Sequence, residues 1–196
     1  MGAESNSSCT THINVVDKKG NMASLTQTLL SIFGSRVVLP KSGILMNNGI
    51  MWFDPTLGKP NSIRPGTKPL CNMCPTLVFD KLGNKISLGA SGGRKIFPAI
   101  MQLISFVLDH KMSLDEAFKT ARIDFSGENR ILANSSLKKE ILMELSKLKT
   151  TIKVQDAVLS GLFACPNAVM ENKNKQRFGS SYIPSPKSKV LSTDKN

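Results

Sequence analysis

The stretch Thr10 to Leu29, TTHINVVDKKGNMASLTQTL, alternates apolar and polar residues on both sides of Lys18-Lys19-Gly20. A period of two is that of a half-buried strand, and a short polar break with glycine is a turn signal. The spacing predicts a β-hairpin from Thr10 to about Leu30. Before it, the opening residues are small and polar and read as a tail. After it, residues 31–68 are rich in Gly, Pro, Asn and Ser, with KSG, NNG, FDP and RPGTKP, so turns rather than long elements are expected. An irregular stretch of that length in a compact chain is more often functional than accidental.

Further out, PTLVFD and KISLGAS form a second expected hairpin, joined at Leu82-Gly83-Asn84 and running into Gly92-Gly93. Ile96 to His110 is apolar and of helical length, and Pro98 suits a first turn. Ser113 with Glu116 is a capping-box pattern opening a helix to about Ala121. Ser136 is expected to open another, with Ile141, Leu142, Leu145 and Leu148 at helical spacing. After Val154 the pattern returns to short strand-like pieces, and SYIPSPKSKVLSTDKN reads as an extended tail. No internal repeat is evident. Two hairpins and three helices imply an α+β layered fold, an antiparallel sheet covered by helices.

Composition narrows the function classes. With 40% apolar residues, the 196-residue chain falls in the globular range. The net charge of +12 raises nucleic-acid binding. The excess, however, lies in scattered lysines such as Lys138, Lys139, Lys147, Lys149, Lys173 and Lys175, interrupted by acids and without interleaved aromatics, which reads as a solvated face. Of the four cysteines, Cys9, Cys71, Cys74 and Cys165, only Cys71 and Cys74 lie close together. No second pair at matching spacing completes a zinc set and His12 and His110 are isolated, so reduced thiols and no metal are expected. No apolar run approaches the roughly 20 residues that span a bilayer, and MGAESNSSCTTH lacks the form of a secretory signal. No compartment is assigned.

Chemistry is hinted at by hydroxyls: Thr10 and Thr11 on one strand, Thr26 and Thr28 on its neighbour, and later a Gly-Gly turn entering a helix. Threonine is a common strand residue and glycine pairs commonly make tight turns, although free N–H groups at such a turn can also stabilise an oxyanion. Spacing alone does not establish an enzyme.

Several motifs occur in one order: Thr10-Thr11-His12 with VVD and Gly20-Asn21, TQT at 26–28, FGSRVV, GILMNN at 43–48, KPLCNMCPT at 68–76 and GASGG at 89–93. Together they resemble the small subunit of γ-glutamyltranspeptidases, from the nucleophile almost to the C-terminus. The resemblance implies a four-layer αββα sandwich of the N-terminal nucleophile hydrolases, built with a large subunit absent from this chain. It also implies cleavage between Cys9 and Thr10, with residues 1–9 a tail or propeptide remnant and 10–196 the small-subunit domain. Thr10 would attack a γ-glutamyl or related amide and pass the acyl group to water or an amine. A threonine hydroxyl needs a base, and the freed α-amine, with a pKa near ~8, can serve. Thr28 would hydrogen-bond the Thr10 hydroxyl, and the N–H groups of Gly92 and Gly93 would hold the oxyanion. No cofactor is required by this chemistry.

The resemblance breaks at the substrate contacts. Where the family binds the glutamyl α-amine with a glutamine and an acid, this chain reads Asn48-Gly49-Ile50-Met51-Trp52-Phe53, with Trp52 at the acid position. A serine pair for the α-carboxylate is replaced by Cys71-Asn72. Losing a buried charge-assisted partner costs on the order of 2 kcal/mol. A related acylase with an altered acyl pocket is one alternative; an inactive family remnant or interaction partner is another. Asn47-Asn48 reads equally as substrate contact or turn former, Trp52 as a packed aromatic, His12 as a structural residue, and Arg122 as an ion-pair partner. Starting nine residues before Thr10, the chain is expected to be a fragment or split-gene product.

Overall fold

The computed structural model describes residues 10–126, 129–155, 161–182, 185 and 188–193. Its first strands are β1 (Thr10–Val16), β2 (Met22–Thr28), β3 (Thr76–Phe79) and β4 (Lys85–Ser91). Helices α1 (Ile96–Leu108) and α2 (Leu114–Lys119) follow, then β5 (Ile123–Asp124), β6 (Ile131–Asn134), α3 (Lys139–Leu148) and β7 (Thr151–Val154). Strands β8 (Cys165–Glu171) and β9 (Arg177–Ser181) complete the order. β1 and β2 pair antiparallel from Thr10 opposite Thr28 to Val16 opposite Met22, as the alternation predicts. A four-stranded antiparallel sheet runs β3-β4-β8-β9, and a small third sheet, β5-β6-β7, has a parallel β6–β7 pair.

All three long hairpins turn by one construction. Asp17 Oδ1 accepts the N–H groups of Lys19 and Asn21, both at 2.8 Å, and Asn21 Nδ2 donates to Asp17 Oδ2. Asp80 does the same for Leu82 and Asn84, and Asn172 for Asn174 and Gln176. The fourth turn residue is left-handed each time: Gly20 (φ 80°), Gly83 (φ 86°) and Lys175 (φ 64°). The sequences DKKGN and DKLGN are therefore one turn used twice, and Asn21 closes the first of them.

β4 is buried on both faces. Ile86, Leu88 and Ala90 join Ala168 of β8 in the apolar core beneath α1 and α2, with Ile96, Ile100, Leu103, Leu114 and Phe118. The capping box at Ser113 and Glu116 is formed in full. The opposite face of β4 meets the β1–β2 hairpin. Hairpin, sheet and helices thus stack as three layers of the expected α+β sandwich.

Ser136 does not open α3. Lys138 precedes its first residue, and the Ser136 hydroxyl donates instead to Asn134 Oδ1 at 2.7 Å, closing a turn after β6. α1 and α2 each end two residues before the expected limit. Leu30 is not strand but left-handed, at φ 72°. Cys9, and with it the cleavage site expected before Thr10, lies outside the described residues.

Candidate active site

The contact between hairpin and sheet is polar, and this fixes where Thr10 sits. Asn14 Nδ2 donates to both the backbone O and Oδ1 of Asn167 on β8, while Ser87 Oγ on β4 donates to Asn14 Oδ1 at 2.6 Å. His12 lies over Gly89, so close that a Cβ there would stand 2.1 Å from its ring. Any side chain at 89 would expel the imidazole. Two residues along β1 match two along β4 in the opposite sense, Asn14 with Ser87 and His12 with Gly89. One further step brings Thr10 to the level of Ser91, immediately before Gly92-Gly93.

His12 is buried and bridged: Nδ1 lies 2.8 Å from Thr26 Oγ1 and Nε2 3.0 Å from Asn14 Oδ1. Because the Asn14 amide group donates to Asn167, its Oδ1 is an acceptor, and Nε2 of His12 must carry the proton. Nδ1 then accepts from the Thr26 hydroxyl. Burial lowers the His12 pKa, partly opposed by the hydrogen bond to Asn14. The imidazole is a neutral structural link, as its strand position suggests.

At the head of the hairpin, Thr10 Oγ1 donates to Thr28 Oγ1 at 3.0 Å. The N–H of Leu30 donates to the same oxygen at 2.9 Å. The facing hydroxyls arise from register, since Thr10 and Thr28 are directly opposed partners. Gly92 (φ 138°) and Gly93 (φ 62°) both occupy conformations that favour glycine. A Cβ on Gly92 would lie 2.8 Å from Ala164 Cα, whereas the space around Gly93 is open. Among the described residues no turn hydrogen bond takes up either N–H.

The substrate-contact candidates lie in the irregular stretch. Asn48 is tied to the strand end: its Nδ2 donates to Ser31 Oγ at 2.6 Å and its backbone N–H to Leu29 O at 3.2 Å. Asn47 Oδ1 accepts from Gly49 N and shapes the turn. Trp52 is half-buried at the end of the 3-10 turn Gly49–Trp52. Asn61, which the sequence gives no reason to single out, donates to Trp52 O at 2.7 Å and accepts from Leu70 N at 3.1 Å. It thereby holds the Trp52 turn beside the segment leading to Cys71 and Asn72. Cys71 is exposed and Asn72 half-buried. Arg122 is buried at the far side of the helices, its guanidinium 4.9 Å from the Tyr182 ring centre and donating to Phe163 O.

Sequence reasoning also missed Asn14, Ser87 and Asn167. The available signal was small and polar residues, Ser87 and Gly89, interrupting the otherwise apolar strand KISLGAS.

Comparison with known proteins bears on the family and the fold. The chain is 39% identical over 114 residues to the acylase ACY 1 proenzyme of Pseudomonas sp. strain SE83, covering 58% of this chain and 20% of that protein. It is 32% identical over 199 residues to a glutathione hydrolase proenzyme of Arthroderma benhamiae, covering 92% of this chain and 33% of the relative. It therefore spans a fifth to a third of the length of these curated relatives. A solved γ-glutamyltranspeptidase from Pseudomonas nitroreducens, a highly active mutant, superposes with a TM-score of 0.74 at 26% identity, over 94% of this chain and 100% of that one. The family model described as Gamma-glutamyltranspeptidase matches residues 1–174, and the chain belongs to that family.

Proposed function

We propose that residues 10–196 are the nucleophile-bearing subunit of an amidohydrolase or acyltransferase acting on γ-glutamyl or related amides. Residues 1–9 are a tail or propeptide remnant, and a separate large subunit completes the pocket. The observation that carries this is the Thr10–Thr28 hydroxyl pair, 3.0 Å apart, at the head of the β1–β2 hairpin.

In this reading the cut between Cys9 and Thr10 frees an α-amine that takes the Thr10 hydroxyl proton. The Thr10 oxygen attacks the amide carbon, and the N–H groups of Gly92 and Gly93 receive the oxyanion. Collapse expels the amine, which takes up the proton, and leaves an acyl ester on Thr10. Water or a second amine then releases the acyl group. As Thr10 loses its proton, the Thr28 hydroxyl turns to donate to it.

One observation favours a related acylase with an altered acyl pocket. The turn Gly49–Trp52 carries no acid, and the nearby Asp54 carboxylate accepts the N–H of Thr56. A substrate ammonium gains no charge partner from this segment, and Trp52 offers an apolar wall instead. The 39% identity to an acylase proenzyme supports the same reading.

The test is incubation of the chain, assembled with its large subunit, with γ-glutamyl anilide and with an acyl anilide lacking the α-amine. Mass spectrometry then seeks an ester on the Thr10 peptide. Turnover by the wild type, with Thr10→Ala slower by about 1,000-fold or more, is expected. Equal rates for both forms sink the threonine mechanism, and the preferred anilide decides the pocket.

A further inference from the structure

Thr28 ends β2, and the residue two places on is the one that fixes its hydroxyl. Leu30 holds φ at 72°, a backbone state that a branched L residue keeps only where its surroundings impose it. In that state its N–H reaches Thr28 Oγ1 at 2.9 Å. A hydroxyl has two acceptor lone pairs and one proton. Thr10 and Leu30 occupy both acceptor positions, which leaves the orientation of Thr28 fully determined.

What imposes the Leu30 conformation is Asn48. Its backbone N–H donates to Leu29 O at 3.2 Å, its Oδ1 accepts from Ser31 N at 3.3 Å, and its Nδ2 donates to Ser31 Oγ at 2.6 Å. Both neighbours of Leu30 are thus fastened to one residue. The second amide hydrogen of Asn48 points to Met51 Sδ at 3.0 Å. The side chain can donate two hydrogen bonds and accept two. Three of these four capacities are used within the loop, so little remains for a ligand.

We infer that Asn48 is a positioning residue, which clamps the Leu29–Ser31 corner so that the Leu30 N–H and the Thr28 hydroxyl address Thr10, rather than a contact of the acyl group. The inference rests on the threonine-nucleophile reading of the site. Asn48 acts only through Leu30 and Thr28 and touches no reacting atom. Its removal lets the corner relax toward ordinary φ values and the Thr28 oxygen swing away from Thr10.

The experiment compares wild type, Asn48→Ala and Asn48→Asp in the chain assembled with its large subunit, reading kcat and KM separately together with the exchange rate of the Leu30 amide. For Asn48→Ala, kcat falls about 10- to 100-fold with KM nearly unchanged, as for a misplaced reacting group. The Leu30 amide exchanges at least about tenfold faster. Asn48→Asp, whose carboxylate still accepts from Ser31 N, recovers part of kcat. A raised KM at unchanged kcat, with Leu30 exchange unaltered, overturns the inference and makes Asn48 a substrate contact. A wild type without turnover sinks the proposed function instead. Leu30 exchange then decides alone: acceleration in Asn48→Ala upholds the clamp, and no change overturns it.

Discussion

At the residue scale, the site depends on groups whose geometry is set by one or two neighbours. Thr28 accepts from both Thr10 and Leu30, so Thr28→Val leaves two donors without a partner. Turnover is expected to fall about 10- to 100-fold, since an unmade buried hydrogen bond costs about 1–3 kcal/mol. Steady-state rates at saturating substrate check this. Gly92→Ala places a Cβ 2.8 Å from Ala164 Cα at φ 138°, and both turnover and melting temperature should drop. His12 makes the fold sensitive to pH. Burial lowers its folded pKa below the ordinary 6.5, so the unfolded chain binds the proton first as pH falls. Its contribution is complete above about pH 6.5 and is lost as the pH drops through the interval between the unfolded and folded values. Urea melts at pH 7.5 and 5.5 should show lower stability at 5.5, and His12→Gln should flatten the difference. The motifs around Thr10, Thr28 and the glycine pair are local and could be read, but only the resemblance to a family gave them roles. Asn48 as a clamp could not, because NNG reads equally as a turn and its partners Leu29 and Ser31 lie 17 or more residues away.

At the scale of elements, the hairpin is docked by hydrogen bonds rather than by apolar burial. Asn14→Ala strips partners from His12, Ser87 and Asn167 together, and about 3 kcal/mol of stability should be lost, measurable by chemical denaturation. Apolar packing tolerates sliding, whereas this network admits one register. The far end is held by Glu171, buried against Gly20 and bonded by Lys175 and Arg177. Burial raises the Glu171 pKa, but its basic neighbours outweigh that and hold it below the usual carboxylate range. Asp17, lowered chiefly by the Asn21 side chain, behaves alike. These carboxylates therefore add a second loss of stability below about pH 4.5, beneath the His12 step. Both hairpins, α1 and the capping box of α2 were legible, because each follows a local period or cap. The sheet β5-β6-β7 was not: its strands are two to four residues long, and its parallel pair joins segments separated by α3. The polar interlayer was also hidden, since alternation in β1 shows that one face differs from the other but not which face turns inward.

At the scale of the whole molecule, apolar surface remains bare. Ile13, Val15 and Leu25, on the hairpin face turned away from the sheet, are each at least half exposed, and Phe33, Leu57 and Leu70 project from the irregular stretch. Exposed apolar side chains grouped on one face are a common feature of interfaces. If the proposed large subunit docks on this hairpin face, Val15→Lys should weaken assembly about tenfold or more while leaving the Thr10–Thr28 pair in place. Analytical ultracentrifugation of the two chains checks this. Family and layered fold could be read from ordered motifs, whereas the pocket could not, because Asn48, Trp52, Cys71 and Asn72 lie in an irregular stretch with no period to place them. The central claim is that cleavage before Thr10 makes the nucleophile. It is tested most directly by intact mass and N-terminal sequencing of the protein from its native source. A chain beginning at Thr10, co-purifying with a larger polypeptide, is the predicted result; a chain that retains Cys9 and the residues before it, with no partner, contradicts it.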